Sequence, residues 1–226
     1  MGHRLLTGAA VAASLAASSA HADPAGGRVT GTVAVVEADG TAAPVIDAIV
    51  YVVGFPEKAD PQAVPAQIAQ EGRHFVPDLV GVTAGEDIVF PNNDPFLHNV
   101  FSQSAARKFD LGSFKKGDRK TAGFPDPGVV DVYCNIHPEM AATILVLPNR
   151  RHVRTSPAGA YTLEGVPPGE WTVFAYTRRA VKPVSAKVTV TAKTETKLDL
   201  KLVRGAEPEH LNKFGEKYKA GGPTYK

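Results

Sequence analysis

The chain contains one cysteine among its 226 residues, Cys134. His137 follows it by three residues, and Met140 follows His137 by three. All three lie in Val132-Tyr133-Cys134-Asn135-Ile136-His137-Pro138-Glu139-Met140. Thiolate and thioether are soft donors that favour Cu(I), and imidazole serves both oxidation states of copper. One further imidazole would complete a set of two His, one Cys and a long axial Met, the donors of a copper site that exchanges single electrons. His98, in Phe96-Leu97-His98-Asn99-Val100-Phe101, is the candidate for it. Such a set leaves no open position for a substrate, which favours electron transfer over catalysis.

The elements around these residues must bring them to one place. Val129 to Cys134 alternates as a strand does, and Ala141 to Leu147 is an apolar strand, so Cys134, His137 and Met140 share one connecting loop. Pro91-Asn92-Asn93-Asp94-Pro95 is a loop that no strand interior could hold. It precedes a strand over Phe96 to Ser102, which carries His98 at its start. In a β-sandwich the strands bearing His98 and Cys134 can be neighbours, with both loops at one pole. Further strands are expected at 79–83, 88–90 and 119–124, with an irregular stretch through Phe109-Asp110-Leu111-Gly112. About seven short strands between 78 and 148 suffice for a small sandwich.

A second β block flanks this one. Arg28 to Glu37 and Ala48 to Val53 read as strands before it. Ala160 to Val166 and Glu170 to Tyr176 follow it, joined by the tight turn Pro167-Pro168-Gly169. Lys187 to Thr191 and Thr196 to Val203 alternate charged and apolar residues, as a half-exposed hairpin would. The proline-rich stretch 56–77 reads as a long connection with one helical turn near Ala66 to Gln70. The fold class is therefore all-β, one sandwich plus a second small sandwich from the flanking segments. The tail 204–226 is polar and is expected to be poorly ordered or to lie along the surface.

The first 22 residues read as a secretory leader: His3 and Arg4, an alanine-rich apolar run from Leu5 to Ala17, then Ala20-His21-Ala22 before Asp23. Export to a bacterial periplasm is expected. No later segment reaches the roughly 18 apolar residues of a membrane span. A lone cysteine in an exported chain has no intrachain disulfide partner, and on count alone it would read as buried and inert. His137 and Met140 beside it give it chemistry instead. A net charge of +2, with no basic stripe, excludes a nucleic-acid reading. Gly-x-Ser-x-Gly, a phosphate loop and paired carboxylates at catalytic spacing are all absent from the sequence.

Phe90-Pro91-Asn92-Asn93-Asp94, His98-Asn99-Val100 and Gly128 through Tyr133-Cys134-x2-His137-x2-Met140 together resemble a cupredoxin, over about residues 78–148. The spacing is similar to that of amicyanin; the plastocyanin type has a longer last gap. The resemblance implies a Greek-key sandwich holding one type 1 copper, bound by His98, Cys134, His137 and Met140. It implies that Asn99 ties the two ligand-bearing segments together and hydrogen-bonds the sulfur. It further implies an electron route through His137, rimmed by Pro95, Phe96 and Pro138, and redox proteins as partners, as in methylamine utilisation. Ile136 and Glu139 replace the Pro and Phe of amicyanin, so the docking surface differs. The flanking blocks, 28–55 and 155–203, resemble a carboxypeptidase regulatory-like (transthyretin-like) sandwich, which implies a structural or binding module with no catalytic residues. The 78–148 domain is then inserted within it.

Two other functions use the same residues: a copper-binding or delivery protein without redox duty, and a structural or binding module with a vestigial site. Elsewhere the readings are plain. His74 is a surface or connector histidine, His152 belongs to a solvated loop, Lys115-Lys116 is a solvated turn and Trp171 is sandwich core. His210 stands in no pattern.

Overall fold

The computed structural model describes residues 26–44, 46–207 and 209–218, and among these it contains no helix. The expected leader, 1–22, lies outside the described residues. The strands run in chain order as β1 (Gly27–Glu37), β2 (Ile49–Val53), β3 (Ala66–Gln67), β4 (Ala69–Glu71), β5 (His74–Val76) and β6 (Leu79–Thr83). There follow β7 (Glu86–Pro91), β8 (His98–Ser104), β9 (Arg107–Phe114), β10 (Arg119–Phe124), β11 (Gly128–Tyr133) and β12 (Ala141–Leu147). The last are β13 (His152–Arg154), β14 (Ala160–Val166), β15 (Gly169–Tyr176), β16 (Val184–Val190), β17 (Glu195–Lys197) and β18 (Leu200–Arg204).

In the first sandwich, a sheet ordered β6-β12-β11-β8-β9 packs on a sheet ordered β10-β7-β3. Ile88 and Phe90 from β7 and Phe124 from β10 meet Val100, Val130, Val132 and Ile144 from the larger sheet in one core. Strand β12 is buried at every position because it has two apolar neighbours. Ala142, Ile144 and Val146 fill this core. Leu145 and Leu147, on the other face, pack with Ile49 and Leu79 against Tyr51 and Tyr176, at the junction with the second sandwich.

The second sandwich pairs β14-β1-β17, with β18 also on β1, against β13-β2-β15-β16. The chain leaves it after β2 and re-enters at β13, which pairs antiparallel with β2, His152 opposite Tyr51. Asn149 fixes the re-entry: its Nδ2 donates to the carbonyls of Val52 and Phe55, at 3.0 and 2.9 Å. Gly31 lets the 195–204 segment lie close along β1, since a Cβ there would sit 1.8 Å from the Leu198 carbonyl oxygen. Trp171 packs edge-on against Phe55 at 4.6 Å and donates to the Pro167 carbonyl.

Several expectations need correction. Ala66 to Gln70 is not a helical turn: β3 pairs parallel with β7, and Gln70 pairs with Phe75 across a small hairpin. Pairing with β7 holds the segment extended: the Ile68 N–H donates to the Val89 carbonyl at 3.0 Å, and fully buried Ile68 anchors it in the core. The stretch around Phe109 is an edge strand, β9, paired among the described residues with β8 alone. Edge strands carry charge and glycine, which hides their alternation. The segments 184–190 and 195–204 do not form a hairpin. β16 pairs with β15, whereas β17 and β18 pair with β1 in the opposite sheet. Both alternate because each has one face on the same core. His152 is not in a solvated loop; it sits partly buried on β13, its Nε2 3.4 Å from Thr83 Oγ1.

Candidate metal centre

Strands β8 and β11 are neighbours, so His98 at the start of β8 and Cys134 just after β11 face each other. The loop after Cys134 is closed by its own main chain: Cys134 N–H donates to the Met140 carbonyl at 3.3 Å, and Met140 N–H to the His137 carbonyl at 3.1 Å. His137 Nδ1 is thereby turned towards His98 Nδ1, 3.0 Å away. Cys134 Sγ lies 3.9 Å from His98 Nδ1 and 3.7 Å from His137 Nδ1. The point equidistant from the three atoms is about 2.1 Å from each, a metal–nitrogen bond length and close to a metal–thiolate one. Cys134, His98 and Met140 are fully buried, and His137 is partly exposed.

The loop before His98 is built around two polar side chains. Buried Asn92 donates from Nδ2 to the carbonyls of Phe96 and Phe114, both at 3.0 Å, and its Oδ1 accepts the Asp94 N–H at 2.9 Å. Asp94 Oδ1 accepts the Gly72 N–H at 2.7 Å, and Oδ2 accepts the Arg73 N–H at 3.0 Å. The same Oδ2 lies 2.7 Å from His98 Nε2. A proton on Nε2 shared with this carboxylate leaves Nδ1 as the lone-pair donor facing the centre. The β4–β5 hairpin is thus bonded, through Asp94, to the first histidine.

Protonation states suit a cation. Burial pushes His98 down, more strongly than Asp94 pulls it up, and burial together with the neighbouring His98 pushes His137 down. Both shifts favour the neutral ring, the form that metal ligation requires. Burial pushes the Cys134 thiol up, opposed by the N–H groups of Asn99, Ile136 and His137. A bound cation would supply the charge that deprotonates it. The chemistry of this donor set and its spacing fit copper.

Asn99 touches both segments. Its backbone N–H points at Cys134 Sγ from 3.5 Å, its Oδ1 accepts the Asn135 N–H at 3.3 Å, and its Nδ2 donates to Asp110 Oδ1 at 2.7 Å. Phe96 stands edge-on to both imidazoles, 5.3 Å from the His98 ring and 5.7 Å from the His137 ring. Pro138 and Glu139, which follow His137, are exposed, as are Pro95 and Leu97 on either side of Phe96.

No family model matches the chain. Plastocyanin from Ulva arasakii is 39% identical to it over 72 residues, a match that covers 28% of this chain and 74% of plastocyanin. Plastocyanin from Ulva pertusa matches to the same extent. This chain is a member of the cupredoxin family. Solved cupredoxins align with it as well. The purple cupredoxin from Nitrosopumilus maritimus is 24% identical, with 36% of this chain and 99% of that one covered and a TM-score of 0.33. A Cu(I) amicyanin mutant is 16% identical, with 43% and 98% covered and a TM-score of 0.35. The plastocyanin likeness supports a protein of the blue copper electron-carrier kind, and the His-Cys-His group fits a type 1 site.

Three contributors to the cupredoxin site were not singled out from sequence. Asp94 belongs to the Phe90–Asp94 motif of the resemblance, with no role of its own assigned there; its signal is a carboxylate four residues before a candidate ligand. Asp110 lay in the stretch read as irregular. The C-terminal segment carried no signal at all, yet it packs on this domain. His210 stacks on Tyr133 at 4.0 Å and 11°, and the Tyr218 hydroxyl donates to the Cys134 carbonyl at 2.9 Å. His74 is exposed on β5, and Lys115 and Lys116 are exposed in the turn after β9.

Proposed function

We propose that this chain is a periplasmic type 1 copper protein that carries single electrons between partner proteins. His98, Cys134, His137 and Met140 hold one copper, and Asn99 hydrogen-bonds the sulfur and joins the two ligand segments. The observation that carries this reading is the triangle of Nδ1, Nδ1 and Sγ whose centre fits a metal at bonding distance from all three.

Copper bound there would supply a one-electron couple. The protein's part is to keep the donors in place while the charge changes. Asp94 holds the His98 ring from behind, and main-chain bonds hold the Cys134–Met140 loop. A frame fixed this way leaves little to rearrange on electron transfer. Buried Cys134 and Met140 keep water from the sulfur side, and partly exposed His137 is the surface contact for a partner. The apolar rim of Pro95, Phe96 and Pro138 supports docking there, and Glu139 on the same loop adds a negative charge that selects among partners.

The apolar leader-like segment supports export. Among the described residues no helix is long and apolar enough to cross a membrane. We read the flanking sandwich, 28–55 with 155–203, as a carboxypeptidase regulatory-like module that carries the 78–148 cupredoxin domain. It supplies no chemistry.

The test is reconstitution of the purified protein with Cu(II). An intense visible band from thiolate-to-copper charge transfer is expected, and Cys134→Ser is expected to abolish it. A colourless protein with a tetragonal copper spectrum would overturn the reading.

A further inference from the structure

The chain's last described segment, 209–218, forms no strand and still makes a built contact with the metal-binding loop. It is folded on itself: Asn212 Oδ1 accepts the N–H groups of Phe214 and Glu216 at 2.9 and 3.0 Å, and Asn212 N–H donates to the Glu216 carbonyl at 2.8 Å. Its root is held by Arg178, whose Nη1 donates to Glu207 Oε2 at 2.7 Å.

From this turn, contacts reach the metal loop from its outer side. The Lys213 N–H donates to Asn135 Oδ1 at 3.0 Å, and Lys213 Nζ to Asp110 Oδ2 at 2.7 Å. Gln103 Nε2 donates to the Lys213 carbonyl at 3.1 Å. Asp110 also accepts from Asn99, and Asn99 in turn accepts the Asn135 N–H. Asn99, Asn135, Lys213 and Asp110 therefore close a ring of hydrogen bonds, and one member of it aims its backbone N–H at the Cys134 sulfur. At the far end, Tyr218 bonds the carbonyl of Cys134 itself, its ring edge-on to His210 at 5.4 Å.

We propose that residues 210–218 are a positioning strap for the copper centre, in which Lys213 and Tyr218 fix the Cys134–Asn135 backbone and Asn99, and so set the thiolate's hydrogen bonding and the potential of the site. This rests on the copper reading above. Both anchors act in one direction. Without the Lys213 ammonium, the Asp110 carboxylate is uncompensated and favours the more positive, oxidised copper. Without the Tyr218 bond to the Cys134 carbonyl, the Cys134–Asn135 backbone and with it Asn99 loosen, the N–H contact to the sulfur weakens, and the thiolate holds more electron density, which again favours the oxidised state.

Lys213→Met and Tyr218→Phe in the full chain are the variants that test it. Phenylalanine keeps the ring on His210 and removes only the hydroxyl. Two readouts serve: the midpoint potential of the copper-loaded protein, and the rate at which Cys134 in the metal-free protein reacts with a small aromatic disulfide. The strap predicts a lower potential in each variant. Because Cys134 is buried, a reagent reaches its thiol only when the loop opens, so a loosened loop also predicts a several-fold faster thiol reaction, outweighing the weaker thiolate. The circular dichroism spectrum stays unchanged, and Lys213→Arg recovers both readouts. If the wild-type protein takes no type 1 spectrum, the copper reading falls, while the thiol rates still decide whether the segment positions the loop. Thiol rates equal to wild type overturn the strap. A blue protein whose potential stays the same in both variants overturns its role in tuning the site.

Discussion

Asp94 Oδ2 lies 2.7 Å from His98 Nε2, and both side chains are buried. The carboxylate faces the same ring whose other nitrogen completes the donor triangle, and it also accepts the N–H groups of Gly72 and Arg73. One side chain thus joins a surface hairpin to the His98–Cys134–His137 group.

Asp94→Ala removes the acceptor from three donors at once. Hydrogen bonds to charged groups are worth about 1.5–3 kcal/mol each. The variant is therefore expected to melt at a clearly lower temperature without metal. Contacts of this kind behind a metal-bound histidine typically weigh 10–100-fold in affinity, so Cu(I) binding should weaken by about that factor in competition with a Cu(I) chelator. An unchanged affinity would show that Phe96 and core packing orient the ring by themselves.

His152 lies where β13 meets β6, near Thr83 and across from Tyr51. Burial pushes its pKa down to about 4, from 6.5. The unfolded chain then binds the extra proton between these values, so stability rises with pH across that window. It should be complete above about pH 6.5 and fall as the pH drops towards 4, by at most about 3 kcal/mol from this residue. Urea titrations of the metal-free protein at a series of pH values measure the slope. His152→Gln should make the slope shallower between pH 6.5 and 4, leaving the part due to His98 and His137, which burial also pushes down; an identical slope in the variant would remove His152 as a cause.

Leu145 projects from β12 away from the cupredoxin core, into the junction with Ile49, Leu79 and Leu147. It is 2% exposed. Truncating a buried leucine to alanine costs about 2–5 kcal/mol. Because the lost contacts lie between the sandwiches, Leu145→Ala should split one calorimetric unfolding transition into two. A single transition shifted down intact would mean that the two crossing segments and the Asn149 bonds couple the sandwiches without this contact.

What could be read in the chain was local or periodic. Cys134, His137 and Met140 fall within one turn-sized stretch, and their donor chemistry is rare enough to stand out. The alternation of β11 and the apolar run of β12 follow from burial on one face or on both. Strand β9 escaped because an edge strand has no second neighbour to demand a regular pattern. The 195–204 segment alternates like a hairpin strand, but alternation reports only that one face is buried, and it cannot say which sheet the strand joins.

The amino-acid sequence by itself determined the donor types, their order and the all-β class, because those depend on side-chain chemistry and on the two-residue repeat of a strand. Tertiary structure decided what surrounds the donors. Asp94 reaches His98 only once the Asn92 turn is folded, and Lys213 and Tyr218 reach Asn135 and Cys134 from 78 and 84 residues along the chain. A hydrogen bond needs two atoms within about 3 Å of each other. No pattern along the chain encodes which distant residue will arrive there, and the packing of the second sandwich and its C-terminal segment settles it.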